Sequence, residues 1–183
     1  MTLKIIVLIV FLVVVLLFTL FAVTLVLWPL VTGFKKAPYV PSFDYHLKIM
    51  KEHLKLKNGS TIVDLGCGDG KALRFFVKEF WLVGTWYDIN PFVILYGKLI
   101  NRLLWYADIR LMRSNFKKAT LDHYEYIYLY LRPEQMIAIE DWMFKHISEK
   151  AIIISNSFVF VKHTPFDIIH VKHNKNVIYL YKK

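Results

Sequence analysis

The strongest constraint on what this chain folds into is a long uncharged segment near its amino terminus. Residues 5–34 contain no charged side chain, and 27 of the first 34 residues are apolar. A bilayer core about 30 Å thick is crossed by about 20 helical residues. Before Trp28 the only polar side chains of this segment are those of Thr19 and Thr24, whose hydroxyls can bond to carbonyl groups of their own helix. The segment predicts a helix that spans a membrane once and stops at Trp28 and Pro29.

A cleavable signal peptide is the competing interpretation of this segment. Signal peptides have an apolar stretch of about 7–15 residues that ends at a small-residue cleavage site, whereas this run is longer and lacks an Ala-x-Ala pattern. Lys4 stands alone before the segment, and a group of lysines follows it, so the positive-inside rule predicts a cytoplasmic domain. The lysines that follow are Lys35, Lys36, Lys48, Lys51, Lys55 and Lys57.

Beyond the segment the composition is that of one globular domain. About half of the remaining residues are apolar, enough for a single core. The lone Cys67 permits no intrachain disulfide, and the seven histidines form no helical i, i+4 pair, so we expect no metal. Without Lys4 the chain has 23 basic and 14 acidic residues, a net charge of +9 that suits an anionic lipid surface. Nucleic acid would be attracted too, but an anchor makes membrane apposition the simpler expectation.

Strand-like and helix-like patterns alternate after a proline-containing linker, which predicts a mostly parallel sheet covered on both faces. We expect an α/β fold, a Rossmann-like doubly wound sheet with a terminal antiparallel hairpin and edge. Ser42 is the expected N-cap of the first helix of this domain. The predicted units are the anchor 1–34, the linker 35–42 and the domain 43–183. The predicted strands are 60–65, 82–87, 109–112, 126–131, 151–155, 167–171 and 177–181, and the predicted helices are 43–56, 71–80, 91–105 and 134–147.

A glycine-rich turn follows the first strand, where sheets of this kind bind a nucleotide. It contains Gly66, Gly68 and Gly70 between two acidic residues. Lys71 stands where a dinucleotide fingerprint requires its third glycine, and a P-loop would need a different spacing. Asp69 repels a pyrophosphate, so the turn favours a ligand with positive charge.

These residues resemble the class I S-adenosylmethionine-dependent methyltransferases, whose first motif is an acidic residue followed by G-x-G-x-G. Asp64 is the acidic residue here, and Asp88, 22 residues after Gly66, corresponds to the acid that binds the ribose hydroxyls in that family. The resemblance implies S-adenosyl-L-methionine as cofactor. The cofactor-binding residues that it implies are Asp64, Gly66, Cys67, Gly68, Gly70, Asp88, Ile89, Asn115 and Phe116. Within this family, the small membrane-anchored lysine methyltransferases have Asp where this chain has Asn115.

A narrower resemblance covers nearly the whole chain. Residues 38–41, 84–91 and 126–131 are similar to the small membrane-anchored lysine methyltransferases that modify the mitochondrial adenine nucleotide translocase and the ATP synthase c-subunit, and to their prokaryotic relatives. This resemblance implies a lysine of a membrane protein as the methyl acceptor. The residues expected at the acceptor are Tyr39, Tyr130, Arg132 and Pro133, with Tyr130 and Glu134 as candidate catalytic residues.

Alternatives remain open at the acceptor site. Arg132, Pro133 and Glu134 also fit the ordinary start of a helix, with an acid in its first turn. Tyr126, Tyr128 and Tyr130 also fit one face of a strand. An RNA or small-molecule methyltransferase and a non-catalytic, membrane-tethered cofactor-binding module are the competing functions.

Overall fold

The computed structural model describes residues 2–32, 42–171 and 177–183, which belong to two compact units, Met1–Pro38 and Tyr39–Lys183. The predicted contact residue Tyr39 and the hairpin connection 173–176 lie outside the described residues.

The described part of the first unit is one helix, α1, from Thr2 to Thr32. Its stretch from Lys4 to Thr24 has a mean hydropathy of 3.5 and is long and apolar enough to cross a membrane, a property that signal sequences share. The Thr19 hydroxyl donates to the Leu16 carbonyl (2.8 Å), and Thr24 makes the equivalent bond, as expected for a polar group in an apolar helix. The predicted stop at Pro29 is wrong. A proline so close to a helix end removes one hydrogen bond without preventing a last turn.

The second unit is a seven-stranded sheet in the order β3-β2-β1-β4-β5-β7-β6, with β1 to β5 parallel. Helices cover both faces, which confirms the predicted doubly wound α/β fold. The strands are β1 Thr61–Leu65, β2 Val83–Asp88, β3 Ile109–Arg113, β4 Tyr126–Leu129, β5 Ile152–Asn156, β6 Asp167–His170 and β7 Val177–Tyr181. The helices are α2 Asp44–His53, α3 Lys71–Phe80, α4 Pro91–Leu103 and α5 Pro133–His146, with a short 3₁₀ helix at Phe116–Lys118.

Two cores lie on the two faces of the sheet. Apolar residues of α2, α3 and α4 pack with Trp86 and Tyr128 on one face, and α5 packs with Val63 and Leu129 on the other. Tyr126 and Tyr128 are buried on one face of β4, as their spacing suggested. Tyr130, the residue after β4, packs against the same core.

The terminal hairpin and the antiparallel pairing at the edge of the sheet are confirmed. The last strand, β7, inserts between β5 and β6 and is antiparallel to both. The edge strand is therefore β6, which runs parallel to β1 to β5. Inserting β7 pairs both of its sides, so the longer strand of the hairpin is not left with an open edge.

Ser42 is not the N-cap of α2, contrary to the prediction. Phe43 occupies that position without a side-chain cap bond, and the Ser42 hydroxyl lies 3.0 Å from the hydroxyl of Tyr128. Ser42 is buried, so its hydroxyl needs an internal partner, and the long-range bond replaces the local one.

Candidate active site

The carboxyl ends of β1 and β2 form one side of the candidate site. The two strands are in parallel register, with Leu65 opposite Tyr87, and the chain then turns into α3. The Gly66 N–H donates to the Tyr87 carbonyl at 3.0 Å, which fixes the first residue of the turn against β2. Gly66 has a φ of +80°, a left-handed conformation that favours glycine.

The middle of this turn is held by α3. The Asp69 carboxylate accepts the Lys71 N–H at 3.0 Å, and the Arg74 guanidinium donates to the Asp69 carbonyl at 2.8 Å. The Gly70 N–H donates to the Cys67 carbonyl at 3.1 Å. These bonds fix the turn before any ligand is present, which lowers the ordering cost of binding.

Two carboxylates stand at this edge. Asp64 is buried, and its Oδ2 atom has no hydrogen-bond partner among the described residues. Burial, followed by the charges of Asp88 and Asp69, raises the pKa of Asp64 well above its usual range. Burial also raises the pKa of Asp88, although backbone N–H groups oppose the rise, including that of Asn90 at 2.8 Å. A cation placed here would relieve the repulsion and satisfy the unpartnered oxygen.

Glycine is required at different positions of the turn for different structural reasons. A Cβ on Gly66 would stand 3.0 Å from Leu131, whereas a Cβ on Gly70 would overlap the ring of Trp86. Gly70 is therefore required by packing between the turn and β2, in addition to its φ of +72°. The presence of glycine at position 70 is therefore explained without a ligand.

Asn115 and Phe116 follow β3, the next strand along the same edge. Ser114 donates its N–H to the Asp88 carbonyl at 3.1 Å, which brings this segment beside the end of β2. The Asn115 side-chain oxygen accepts the Lys117 N–H at 3.0 Å and so caps the 3₁₀ helix. The aromatic ring of Phe116 is half-buried, with its centroid 6.2 Å from that of Trp142.

The residues after β4 form the other half of the edge. Tyr130 is half-buried and stacks on Phe158, with ring centroids 6.2 Å apart. Burial, with a smaller contribution from Tyr45, raises the pKa of the Tyr130 phenol. Glu134 lies in the first turn of α5, is 73% exposed and faces Arg132, its Oε2 atom 3.8 Å from the guanidinium Nε.

A buried polar network between α2, β4 and β5 was missed by the sequence analysis. The Asn156 amide donates to the Tyr128 hydroxyl at 2.9 Å, and Ser42 contacts the same hydroxyl. Asn156 also hydrogen-bonds His46, whose pKa is lowered by burial. Burial raises the pKa of Tyr128, and Asp64 lies close enough to raise it further. The polar Ser-Asn pair that ends an otherwise apolar β5 was the one available signal.

The chain matches no family model, but its fold has solved counterparts. An RNA methyltransferase from Salinibacter ruber, in complex with S-adenosyl-L-homocysteine, superposes with a TM-score of 0.72 at 18% identity, over 78% of this chain and 93% of that one. A SAM-dependent methyltransferase from Geobacter sulfurreducens, with the same ligand, gives a TM-score of 0.56 at 18% identity over 67% and 51%.

The second unit has the class I methyltransferase fold. The resemblance inferred from the glycine-rich turn and Asp88 is thereby confirmed at the level of the fold. Two curated proteins are similar in sequence. The lysine N-methyltransferase of the ATP synthase c-subunit from Homo sapiens is 28% identical over 155 residues, which are 80% of this chain and 64% of that protein. The Mus musculus protein of the same name is 27% identical over 133 residues, 70% and 51%. The chain spans between half and two thirds of the length of these relatives.

Within this methyltransferase fold, most of the predicted cofactor residues lie together. The turn 66–70, Asp64 and Asp88 share the β1–β2 edge, and 115–116 follow the adjoining strand. Cys67 is half-buried, and burial raises the pKa of its thiol, so it is no activated nucleophile. The described residues contain no group of three or more side chains able to hold a metal.

Proposed function

We propose that this chain is an S-adenosylmethionine-dependent methyltransferase that modifies a lysine side chain of a membrane protein. The observation that carries the proposal is the acidic, glycine-lined turn at the carboxyl edge of a methyltransferase-type sheet. There Asp64 has a buried oxygen without a partner among the described residues, and Asp88 ends the neighbouring strand.

The residues at this edge fit the cofactor in charge and shape. S-adenosylmethionine carries a sulfonium and an ammonium group, whose positive charge matches Asp64, Asp69 and Asp88. Asp88 would accept hydrogen bonds from the two ribose hydroxyls, and Gly66 and Gly68 allow the ligand close to the backbone. Asn115 and Phe116 would border the adenine.

When bound, the cofactor supplies a methyl group that is already electrophilic. The protein has to align the acceptor nitrogen in line with the sulfur and keep water away, and proximity provides most of such a rate enhancement. The stacked rings of Tyr130 and Phe158 provide an apolar wall for this purpose. Because its pKa is raised, the Tyr130 phenol stays protonated at neutral pH, and we assign it to orienting the acceptor amine through its oxygen rather than to removing a proton.

The lysine acceptor is supported by the relatives, both of which are named as lysine N-methyltransferases. An unperturbed lysine has a pKa of about 10.4 and must lose a proton before it attacks. Glu134 is exposed and faces Arg132, so we assign it to the rim of the site, where it would attract the acceptor ammonium.

The membrane location is supported by α1, with its mean hydropathy of 3.5. The lysines after this helix favour a domain on the cytoplasmic side. A linker of about eight residues reaches at most about 25–30 Å, so the acceptor would lie close to the bilayer surface.

Two other functions compete with this proposal. An RNA methyltransferase is favoured by the Salinibacter ruber structure, named as such, and by the basic surface. It predicts binding of RNA that weakens steeply with salt. A non-catalytic module would bind the cofactor without transferring its methyl group.

The test is transfer of a labelled methyl group by the full chain reconstituted in vesicles and mixed with membrane, soluble-protein and RNA fractions. We expect label in lysines of membrane proteins, and much less label with the Asp88→Ala variant at the same cofactor concentration. A truncated chain lacking residues 1–34 should bind the cofactor but label membrane proteins less, since tethering raises the local concentration. Label mainly in RNA or metabolites, or equal labelling by the truncated chain, would contradict the proposal.

A further inference from the structure

Helix α4 presents three distinct faces. Its inner face packs on the sheet through Ile94, Gly97 and Asn101, and a Cβ on Gly97 would overlap the ring of Trp86. Lys98 and Arg102, one turn apart, form a basic face. The third face is apolar and is not covered by any described part of the domain.

This third face is a continuous apolar row. Leu95, Leu99 and Leu103 follow one another at intervals of four residues and are 67%, 55% and 63% exposed, with Tyr96 beside them. Single exposed leucines are common on protein surfaces, but an aligned row on one helix is the pattern of an interaction surface. We call these four residues, together with Trp105, the α4 stripe.

Trp105, two residues after the end of α4, has an unusual conformation. Its φ is +58°, in the left-handed region that glycine normally occupies, and its side chain is 91% exposed. Holding a large aromatic residue there costs free energy, and burial in the domain core does not offset that cost. Tryptophan is favoured where an apolar body meets the wet boundary of a membrane.

The segment of the chain that contains the stripe is strongly basic. From residue 89 to residue 120 the chain contains one acidic residue, Asp108, and six basic ones. The six are Lys98, Arg102, Arg110, Arg113, Lys117 and Lys118. This segment supplies more than half of the net positive charge of the domain.

We propose that the α4 stripe is a membrane-docking surface, which inserts into the interface of an anionic bilayer while Lys98 and Arg102 contact the lipid headgroups. Leucine and tryptophan beside a basic face are the composition of helices that lie in a membrane interface. The inference rests on the membrane association proposed above. Because α4 begins directly after Asn90, at the cofactor edge, docking on this face would hold the carboxyl edge of the sheet beside the bilayer rather than far from it.

Charge decides between a bilayer and a second copy of this chain. Two stripes meeting in a symmetric dimer would bring Lys98 and Arg102 near the same residues of the partner, with only Asp108 in this segment to offset them. An anionic bilayer has no such conflict, since each basic residue near its surface is attracted. RNA would use the charges but would leave the leucine row exposed.

The depth of the stripe in a bilayer is measurable on the full chain. Fluorescent labels are placed singly at Leu103→Cys and, as a control, at Ile137→Cys, both in a Cys67→Ser background. Ile137 is exposed to a similar degree, but on α5, on the other face of the sheet. With phosphatidylserine-containing vesicles that carry a lipid-bound quencher, we expect strong quenching at residue 103 and little at residue 137.

Charge-reversal variants test whether Lys98 and Arg102 contribute to docking on the anionic bilayer. The double variant Lys98→Glu/Arg102→Glu should show less quenching at residue 103. The ratio of docked to undocked protein should be at least about tenfold lower than in the parent. Lys145→Glu with Lys150→Glu, the same change in net charge on the other side of the sheet, should leave it unchanged.

Equal quenching at both labels, no quenching at either, or cross-linking of residue 103 between two copies would overturn the proposal. The measurement needs no methyl transfer. If no methyl group is transferred but the label at residue 103 is quenched, the proposed function is rejected and the proposed docking surface is still supported.

Discussion

The two halves of the carboxyl edge are built in different ways. The β1–β2 half carries charge: Asp64, Asp69 and Asp88 surround a glycine-rich turn, and burial together with mutual repulsion raises the pKa of Asp64. The β4–β5 half is aromatic and has no net charge: Tyr130 stacks on Phe158, and Arg132 pairs with Glu134. The cationic cofactor and the proposed lysine acceptor, which must lose its charge before it reacts, would make these opposite demands.

The halves also differ in how far apart their residues lie in the sequence. The charged half is formed by two short segments, each of which is recognisable as a sequence motif. The network of the second half joins Ser42 to Tyr128, 86 positions away, and Tyr128 to Asn156, 28 positions away. Substitutions in the charged half should therefore lower the affinity for the cofactor. Substitutions in the neutral half should lower the free energy of unfolding.

The largest expected effect is on the charged half. Replacing Asp88 by Ala should remove two charge-assisted hydrogen bonds to the ribose, each contributing about 1.5–3 kcal/mol. We expect the affinity for S-adenosylmethionine to fall by more than tenfold, measured by isothermal titration of the full chain. Gly68→Ala should also weaken binding, because it narrows the approach of the ligand to the turn.

The control for Asp88 is Asp122→Ala, which removes an exposed acid elsewhere on the domain and should leave the affinity unchanged. If Asp88→Ala binds the cofactor as tightly as the parent, the site is not at this edge, and the comparison between the halves fails.

The sequence predicted the charged half because local chemistry sets it. The three glycines have positive φ values, and Asn90 caps α4 with its side chain accepting the Phe92 N–H at 3.0 Å, ahead of Pro91 at the first position. Each of these features depends on neighbours a few residues away, and patterns of that range are visible in one sequence.

The sequence did not predict the buried network of the neutral half, because contacts between distant segments set it. Ser42 had the pattern of an N-cap, yet its hydroxyl bonds to Tyr128 in another element. The placing of β7 between β5 and β6 likewise depends on which strand has a free edge, which periodicity does not encode.

The second prediction concerns Gly70. This residue lies in the glycine-rich turn of the charged half, but it packs against Trp86 in the core. Gly70→Ala should destabilise the domain by about 2–4 kcal/mol, because a methyl group would overlap Trp86 and the backbone has a positive φ. Gly59→Ala has the same backbone strain, at φ +78°, with nothing within 4 Å of the added carbon. Denaturant unfolding should show a cost of only about 1 kcal/mol for this control. Equal losses would show that packing against Trp86 is not the reason for Gly70.

The third prediction isolates the network. Tyr128→Phe leaves Ser42 and the Asn156 amide without their shared partner, and a buried polar group left unsatisfied costs about 1–3 kcal/mol. We expect a lower free energy of unfolding with unchanged cofactor affinity. Tyr96→Phe, which removes a hydroxyl from an exposed residue, should change neither quantity. A large loss of cofactor affinity in Tyr128→Phe would show that the two halves are not separable.

The smallest expected effect concerns a buried carboxylate that is bonded to the loop after β5. Glu140 of α5 accepts the backbone N–H groups of Val161, Lys162 and His163 at 3.1, 2.7 and 3.0 Å, and its Oε1 lies 2.9 Å from the His163 ring. These bonds hold the loop that carries Phe158 to Tyr130.

Burial alone would raise the pKa of Glu140, but these bonds outweigh it and lower the pKa below its usual value. A carboxyl whose pKa is lowered on folding stabilises the domain above its unfolded pKa, about 4.3, and loses that contribution as the pH falls through the folded value. Glu140→Gln should therefore be less stable than the parent at pH 6, by about 1–2 kcal/mol, and the difference should shrink as the pH falls below about 4. Glu149→Gln, an exposed acid paired with Lys183, should cost less than about 1 kcal/mol. A Glu140 difference that stays constant down to pH 3 would mean that its charge does not hold the loop.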